Sequence, residues 1–239
     1  MQHATRALVI GTGAIGDALL DRWSASGRFS AVVGVGRRPA ALQPGREYLR
    51  TDHSEASIAA CCDALAQSPA PLSQVVITLG TLHGDDYRPE KSLRELREAS
   101  LTHVHRINCV LPLLWLAKLT PLLRSTDDGR VAVLSARVGS IGDNALGGWY
   151  AYRSAKAALN MGLKCTAIEW ARVAPGVKLI AYHPGTVASP LSEPFQANVP
   201  PQNLFTPARA AERLDAVMNS QPVDGALAYV DWAGEDIPW

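Results

Sequence analysis

Apolar residues along this chain gather in short, nearly continuous runs and seldom alternate with polar ones. Runs of this kind are typical of parallel strands that helices cover on both faces, because neither face of such a strand meets water. They predict strands at residues 7–10, 31–35, 75–79, 131–134, 177–181 and 226–230, with a weaker strand at 47–51.

Helical periodicity fills the stretches between these strands. The predicted helices span residues 16–24, 54–67, 92–123, 150–173 and 207–219. Strand and helix therefore alternate from end to end, which predicts an α/β fold with a doubly wound, mostly parallel Rossmann-type sheet of about seven strands. No hydrophilic linker or internal repeat divides the chain, so residues 1–239 are interpreted as a single domain.

One segment, residues 186–207, breaks this alternation. It carries five prolines together with Leu191, Phe195, Leu204 and Phe205. A loop this long inside a compact domain is usually functional. We therefore expect it to form a lid over an apolar or aromatic substrate.

The charge balance and the cysteines narrow the classes of partner. With 23 basic and 22 acidic side chains the formal charge is +1, which argues against a nucleic-acid binder that relies on bulk electrostatics. The four cysteines show no metal-ligand spacing, so we expect reduced thiols and no metal. The apolar run at 110–123 is interrupted by Pro112, Lys118 and Pro121 and falls short of a bilayer span. These features predict a soluble cytoplasmic protein with neither a membrane nor a nucleic acid as partner.

A glycine-rich turn follows the first predicted strand and opens the first helix. Glycines in that position let the backbone turn tightly and approach a pyrophosphate, which rests on the amides and the positive dipole end of the helix. The pattern also suits an ordinary structural turn, but its place in a βαβ unit favours dinucleotide binding. The residues of the turn are Gly11, Thr12, Gly13, Ala14, Ile15 and Gly16.

The next predicted strand ends at Arg37 and Arg38, where NAD-selective folds carry an acidic residue for the ribose 2′-hydroxyl. Two guanidinium groups suit a 2′-phosphate, so NADP(H) is favoured and NAD(H) is the less favoured alternative. A solvated basic pair is the other interpretation. Asp52, after the third predicted strand, is a candidate acceptor for the adenine amino group or else a cap of the following helix.

Tyr152 and Lys156 lie four residues apart and so share one face of a predicted helix, whereas Tyr150 lies off that face. A phenol with an ordinary pKa of about 10 exchanges protons poorly at neutral pH unless a neighbouring cation favours its ionised form. We therefore interpret Tyr152 as the general acid/base of a carbonyl/alcohol interconversion, with Lys156 lowering its pKa and holding the nicotinamide ribose. A surface tyrosine–lysine pair is the alternative.

The order of these motifs resembles the short-chain dehydrogenase/reductase family over nearly the whole chain. Residues 138–141, 147–153 and 183–185, and the end of the chain from Gly225, are similar to the C-factor-like and sniffer-like carbonyl reductases of that family. The resemblance implies a small-molecule carbonyl or alcohol as substrate. It also implies a homodimer or homotetramer, formed through the helices that carry the family's asparagine and tyrosine.

The resemblance further implies a catalytic tetrad of Asn, Ser, Tyr and Lys. Asn108 matches the family asparagine. Because Pro112 lacks an N–H, the Asn108 carbonyl is expected to be free to bind a water that relays protons from Lys156. A merely kinked helix is the alternative.

The serine of the tetrad is ambiguous. The family usually carries two serines at the end of its fifth strand, and the slot of the second, catalytic one holds Ala136 here. Ser135 is adjacent and nearest the strand end, so it is favoured as the hydroxyl that faces the substrate, with Ser140 as the alternative.

Two more segments are implied to contact the cofactor. The asparagine-containing segment after the family's fourth strand is replaced by residues 77–80, which lose the strand-linking amides, although Leu79 and Gly80 are still expected at the cofactor. The glycine turn is also shorter than the family's usual spacing. After the sixth strand, the family's Pro-Gly segment, which closes over the nicotinamide, is matched by Pro184, Gly185, Thr186, Val187 and Ser189.

The leading hypothesis is an NADP(H)-dependent short-chain oxidoreductase that interconverts a carbonyl and an alcohol by hydride transfer. The alternative is a catalytically weak, cofactor-binding signalling or sensor protein on the same fold, which Ala136 and the altered segment 77–80 motivate. A reductase of activated C=C bonds is a third hypothesis.

Overall fold

The computed structural model describes residues 5–37 and 46–239, apart from the side chain of Asn198. Within these residues, the strands are β1 (Arg6–Ile10), β2 (Ala31–Gly36), β3 (Arg46–Arg50), β4 (Leu72–Ile77), β5 (Gly129–Leu134), β6 (Val177–His183), β7 (Thr186–Val187), β8 (Leu204–Phe205) and β9 (Leu227–Asp231). The α-helices are α1 (Ala14–Ser26), α2 (Glu55–Ala66), α3 (Glu98–His105), α4 (Leu111–Leu123), α5 (Tyr150–Val173) and α6 (Pro207–Ser220).

Seven of the described strands form one parallel sheet in the order β3-β2-β1-β4-β5-β6-β9. The direction of winding reverses between β1 and β4, and ligands of doubly wound folds bind in the crevice at the carboxyl ends of such strands. The prediction of a doubly wound, parallel Rossmann-type sheet is confirmed.

Helices cover the sheet on both faces, as the continuous apolar strands require. Leu8 and Ile10 of β1 pack with side chains of α2, α4 and α5, whereas Ala7 and Val9 pack with those of α1 and α6. All four side chains are fully buried. Burying a side chain such as Leu8 contributes roughly 1.5–3 kcal/mol to folding, so the alternation of these two faces fixes the register of the strands.

The helix predicted over 92–123 is broken in the structure. A 3₁₀ turn, Leu93–Glu95, precedes α3, and a π-helical turn, Arg106–Val110, joins α3 to α4. Pro112 accounts for the break, because it has no backbone N–H to donate to a regular helical hydrogen-bond ladder. The ladder widens just before it, so that the Leu111 N–H donates to the carbonyl of Arg106, five residues back.

The stretch Glu98–Leu123 is long and apolar enough to cross a membrane, judged by length and composition alone. Half of its most apolar window is buried inside the fold. Core helices of soluble proteins pass the same test, so this helix is weak evidence for a membrane span.

The segment predicted to be a lid is tied down at both ends. β7 pairs with β8, and the Ala188 N–H donates to the Phe205 carbonyl at 2.8 Å. Two 3₁₀ turns, Glu193–Asn198 and Pro201–Asn203, lie between these strands. Gly185 leads into β7 with φ +73°, and a Cβ there would lie 3.0 Å from the Phe205 ring. The segment is therefore anchored beside the end of β6, and its action as a substrate lid stays a prediction.

Candidate active site

Two cavities lie at the carboxyl ends of the central strands. The first, of about 190 Å³, is bordered by the β1–α1 turn and by the residues that end or follow β2, β3 and β4. Most of the predicted cofactor residues of these segments therefore share one cavity. Its lining residues are Gly11, Thr12, Gly13, Gly36, Arg37, His53, Thr78, Leu79 and Gly80.

Gly11 and Gly16 of the glycine turn lie where a side chain would not fit, whereas Gly13 faces open space. Gly11 has φ +102°, and a Cβ on Gly16 would lie 2.0 Å from the Gly11 carbonyl oxygen. Gly13 is the N-cap of α1. It has no side chain that could accept the N–H groups of the first helical turn, which begins at Ala14. Such amides suit a phosphate anion. Ile15, also in this turn, faces the second cavity.

Thr78 links the end of β1 to the segment after β4, where the family's linking asparagine amides are missing. Its hydroxyl donates to the Gly11 carbonyl at 2.7 Å, and its N–H donates to the Ile10 carbonyl at 2.8 Å. These bonds tie the end of β1 to the segment after β4. The predicted loss of a link between the two strands is therefore offset by a threonine hydroxyl, which sequence reasoning missed.

The residues predicted to select NADP(H) are only partly described. Arg37 is exposed and lines the first cavity, whereas Arg38 lies outside the described residues. Asp52 is exposed and accepts the Ser54 N–H at 2.8 Å, which lowers the pKa of its carboxyl. Ser54 itself caps α2, since its hydroxyl accepts the Ser57 N–H at 3.2 Å. Asp52 is thus not the cap, and its contact with adenine stays a prediction.

Tyr152 and Lys156 lie in the first two turns of α5 and meet across one helical turn. Lys156 Nζ lies 5.7 Å from the centroid of the Tyr152 ring and donates to the Leu134 carbonyl at 2.7 Å. The lysine is buried, and Tyr152 lines the second cavity. The predicted pair is therefore brought together at the end of β5.

Burial dominates the acidity of both groups. It lowers the pKa of Lys156 to about 7, against a smaller opposing effect of Cys109. It raises the pKa of Tyr152 to about 12, because the phenolate would lie away from water. This direction is opposite to the lowering that we expected from Lys156, so the activation of the phenol by the lysine stays a prediction.

Asn108 lies close to Lys156 and is fully buried in the π-helical turn. Its amide nitrogen donates to the carbonyls of Thr81 and Val104, at 2.7 and 3.0 Å, and its amide oxygen accepts the Thr81 N–H. A Cβ on Gly80 would lie 3.2 Å from Asn108 Oδ1 and 3.9 Å from Lys156 Nζ. These three residues therefore converge, and the proton relay through the Asn108 carbonyl stays a prediction.

The two candidate serines have different surroundings. The Ser135 hydroxyl is buried and donates to Asn160 Oδ1 at 2.6 Å, although the residue lines the second cavity. The Ser140 hydroxyl accepts the Asp143 N–H at 3.0 Å, and Ser140 is not among the residues that line this cavity. Ala136 does line it. The geometry thus favours Ser135 over Ser140, but it also shows that the Ser135 proton is engaged.

The second cavity has a volume of about 370 Å³ and a mostly apolar wall. Trp149, in the left-handed conformation with φ +52°, packs against Phe195 of the lid segment at 5.1 Å between ring centroids. Burial, with a smaller effect of Arg137, lowers the pKa of His183 in this wall to about 4. Five predicted cofactor residues, in the segment after β6, also line it: Pro184, Gly185, Thr186, Val187 and Ser189.

Sequence reasoning missed two further residues of the site. His53 follows Asp52 directly and lines the first cavity. Asn160 lies four residues beyond Lys156, on the same face of α5 as the predicted pair. That i+4 spacing was a signal for Asn160, whereas no local pattern marked His53.

Curated proteins provide two partial matches. The chain is 38% identical over 109 residues, 45% of each chain, to 1-hydroxy-2-glutathionyl-2-methyl-3-butene dehydrogenase of Rhodococcus sp. (strain AD45). It is 28% identical over 149 residues to C-signal of Myxococcus xanthus, covering 62% of this chain and 84% of C-signal. The first match thus spans less than half of the relative's length.

Solved structures of low sequence identity share the fold. The NADPH-bound carbonyl reductase from chicken fatty liver has a TM-score of 0.83 at 20% identity, covering 99% of this chain and 100% of the other. The carbonyl reductase Sniffer of D. melanogaster has a TM-score of 0.84 at 16% identity, with the same coverage. C-signal is thus similar in sequence to part of this chain, whereas Sniffer shares its fold. A sequence model of the family described as short chain dehydrogenase matches residues 5–200. The chain therefore belongs to the short-chain dehydrogenase family, as the order of its motifs predicted.

Proposed function

We propose that this protein is an NADP(H)-dependent oxidoreductase that interconverts a carbonyl and an alcohol, with Tyr152 as general acid/base. One observation carries the proposal: the Tyr152–Lys156 pair lies where the two cavities approach each other. Lys156 Nζ is close to Gly80 in the wall of the first cavity, and Tyr152 lines the second. A proton-transfer group between a glycine-lined crevice that suits a dinucleotide and an apolar cavity is what a carbonyl reductase needs.

The residues that line the first cavity suit the phosphate-bearing part of a dinucleotide. Gly11 and Gly16 let the turn pack tightly, since a Cβ on Gly11 would lie 2.5 Å from Thr78 Oγ1, whereas Gly13 faces open space in which a phosphate can approach the backbone. The uncapped amides of α1 suit a pyrophosphate, and Arg37 suits a 2′-phosphate. The chicken carbonyl reductase and a Burkholderia multivorans relative of the fold are NADP-bound in their structures. NAD(H) is less favoured, because Gly36 and Arg37 stand where NAD-selective folds carry an acidic residue.

When bound, the dinucleotide supplies the hydride in reduction and receives it in oxidation. In the reductive direction, Tyr152 holds the proton that the substrate oxygen takes, because burial keeps the phenol protonated at neutral pH. In the oxidative direction, the protonated form of Lys156, whose pKa burial lowers to about 7, favours the phenolate that accepts the proton. Asn108, behind the lysine, would hold the water through which this proton reaches solvent.

The substrate is an apolar or aromatic carbonyl compound. The second cavity is walled by Trp149, Leu191 and Phe195, and the segment 186–207 acts as its lid. Ser135 is the candidate donor to the substrate oxygen, because it lines this cavity. To serve in that role, its hydroxyl has to turn away from Asn160.

A catalytically weak, cofactor-binding signalling protein is the second candidate function. Ala136 in the slot of the family serine and the engagement of Ser135 with Asn160 both favour it. Similarity to C-signal also favours it. It predicts tight NADPH binding without turnover.

We further propose a cytoplasmic homodimer or homotetramer that acts on small molecules. The helical face for such an assembly carries exposed apolar side chains: Val110 at 43% exposure, Met161 at 67% and Ile168 at 54%. Isolated apolar side chains are common on surfaces, but these three lie on the helices through which the family assembles. The four cysteines are free, which suits a reducing compartment.

The decisive experiment compares three proteins with NADPH and a panel of aromatic ketones, aldehydes, quinones and enones. Wild type is expected to consume NADPH, and Tyr152→Phe to lose about 100-fold or more of kcat/KM. Tyr150→Phe is the matched control, two residues away on α5, and is expected to keep the wild-type rate. Equal rates in wild type and Tyr152→Phe would refute the chemistry. NADPH binding without turnover over the whole panel would favour the signalling alternative.

A further inference from the structure

His53 has an unusual backbone at the edge of the first cavity. It follows β3 with φ +62°, in the left-handed region, which few residues other than glycine adopt. Thr51 Oγ1 holds this conformation by accepting the His53 N–H at 3.0 Å. The side chain is only 7% exposed and lines the cavity beside the glycine turn. Strained residues that their surroundings hold in place are concentrated at functional sites.

A hydrogen bond from Trp115 fixes which nitrogen of the His53 ring carries the proton. The indole Nε1–H donates to His53 Nδ1 at 3.2 Å, and an indole nitrogen can only donate. His53 Nδ1 is therefore an acceptor without a proton, and the neutral ring carries its hydrogen on Nε2. Trp115 is fully buried in α4 and meets the imidazole edge-on, with ring centroids 6.1 Å apart.

The surroundings also keep the ring neutral. Burial and the positive charge of Arg37 lower the pKa of His53, while Asp52 opposes them with a smaller effect. The ring is thus an uncharged donor at neutral pH. Within the described part of the chain, no hydrogen bond is made by Nε2.

We propose that His53 donates its Nε2 hydrogen to N1 of the adenine base and so selects the purine of the dinucleotide. This inference rests on the proposed dinucleotide binding and adds a residue to it. The Watson–Crick edge of adenine presents an amino donor beside the N1 acceptor. Asp52, directly before His53, is exposed and is not one of the residues that line this cavity. Its carboxylate only accepts, so in the bound complex Asp52 and the His53 donor together complement that edge.

The base is a better partner for His53 than the 2′-phosphate. A neutral imidazole offers one hydrogen bond and no charge, and the neighbouring Asp52 carboxylate repels a phosphate. Leu79 adds an apolar surface to the same cavity, which suits the face of a purine. Arg37, in the same wall, is the charged group that suits the phosphate.

The test uses NADPH and its hypoxanthine analogue, which carries a hydrogen on N1 and a carbonyl in place of the amino group. Wild type is expected to bind NADPH about 10-fold to 100-fold more tightly than the analogue, because two donors or two acceptors would face each other in the mismatched complex. This measurement uses the unaltered protein, so no folding defect confuses it. Equal affinity for the two nucleotides would overturn the inference.

Two variants assign the discrimination to His53. In His53→Asn, which tolerates the left-handed backbone but reaches less far, the preference for NADPH is expected to fall at least about fivefold. Trp115→Phe removes the donor that fixes the ring and is expected to reduce the preference by less. His53→Asn should weaken NADPH and NADH by the same factor. Loss of NADPH affinity alone would assign His53 to the 2′-phosphate and overturn the inference.

The outcome also separates this inference from the proposed function. If wild type binds no dinucleotide, both fail. If wild type binds and reduces carbonyls with NADPH while His53→Asn keeps the full base preference, only the role of His53 fails.

Discussion

The Ser135 hydroxyl donates to Asn160 Oδ1 across 2.6 Å, joining the end of β5 to the buried face of α5. Ser135 lines the second cavity, yet this bond directs its proton towards the helix. Ala136, the next residue, also lines the cavity and offers only a methyl group. In the proposed reaction, a substrate oxygen beside Tyr152 would therefore meet fewer hydroxyl donors than the family pattern supplies.

Ala136→Ser is therefore expected to raise kcat/KM by roughly 10-fold or more, because it adds a donor for the developing negative charge on the substrate oxygen. The measurement is NADPH consumption with the best carbonyl substrate of the panel. Ser140→Ala is the matched control and should leave the rate unchanged, since that hydroxyl bonds to the Asp143 N–H away from the cavity wall. If Ala136→Ser is no faster than wild type, a lack of hydroxyl donors to the substrate oxygen does not limit the rate.

Lys156→Met is expected to abolish turnover yet stabilise the fold at neutral and lower pH. The buried amine has its pKa lowered from 10.5 to about 7 on folding. Below pH 7 both folded and unfolded chains bind the proton, so the wild type carries the full cost of burying the charge. Between pH 7 and 10.5 the unfolded chain alone keeps the proton, and the wild type gains stability as the pH rises. The advantage of the methionine variant should therefore shrink over that range.

The measurement for this lysine is the free energy of unfolding in urea at several pH values. Lys164→Met, on the exposed side of α5, is the control and should change stability by less than about 0.5 kcal/mol. Loss of the bond from Lys156 to the Leu134 carbonyl offsets about 1 kcal/mol of the gain. A stability difference that does not vary with pH would rule out burial of a charged amine as its cause.

The fold and the proximity of Tyr152 and Lys156 could be predicted because their signals are local. Continuous apolar runs mark buried parallel strands, and the α5 bounds of 150–173 agree with the prediction. Gly147 and Gly148, both at positive φ, precede that helix, and Pro175 follows it. The i, i+4 spacing of Tyr152 and Lys156 needs nothing beyond a helix.

The rest of the site depends on contacts between distant segments. Ser135 and Asn160 are 25 residues apart, and His53 and Trp115 are 62 apart. Whether a polar side chain is free or engaged is set by packing, which no local pattern encodes. The break of the 92–123 helix was only partly foreseeable: Pro112 marks a kink, but not a π-helical turn.

Asp215→Ala is expected to destabilise the protein by about 2 kcal/mol, because the buried Trp23 indole N–H loses its acceptor. Arg22 and Arg28 lose the same partner but are 43% and 38% exposed, so water can solvate them. The carboxylate accepts from Arg22, Arg28 and the Trp23 indole at 2.9–3.0 Å and is almost fully buried between α6 and α1. Desolvation opposes these bonds, but their sum still lowers the pKa of Asp215. Thermal unfolding gives the measurement.

An ion pair whose two side chains are 40% and 39% exposed supplies the control. Asp143 lies 3.5 Å from Arg137, so Asp143→Ala should cost less than about 1 kcal/mol. Similar losses in the two variants would contradict the distinction between buried and exposed pairs. Both variants should keep the wild-type KM for substrate, because neither residue lines the second cavity.

His183 should make the protein sensitive to mild acid. Burial and the charge of Arg137 lower its pKa from 6.5 to about 4, with Asp231 opposing. Between these two pH values the unfolded chain binds a proton that the folded chain does not. The free energy of unfolding is therefore highest above pH 6.5 and declines as the pH falls towards 4. The loss amounts to roughly 3 kcal/mol at most.

His183→Gln cannot take up this proton, so its free energy of unfolding should fall less steeply than that of wild type between pH 6.5 and 4. Parallel curves for the two proteins in urea titrations over this range would contradict the role of His183.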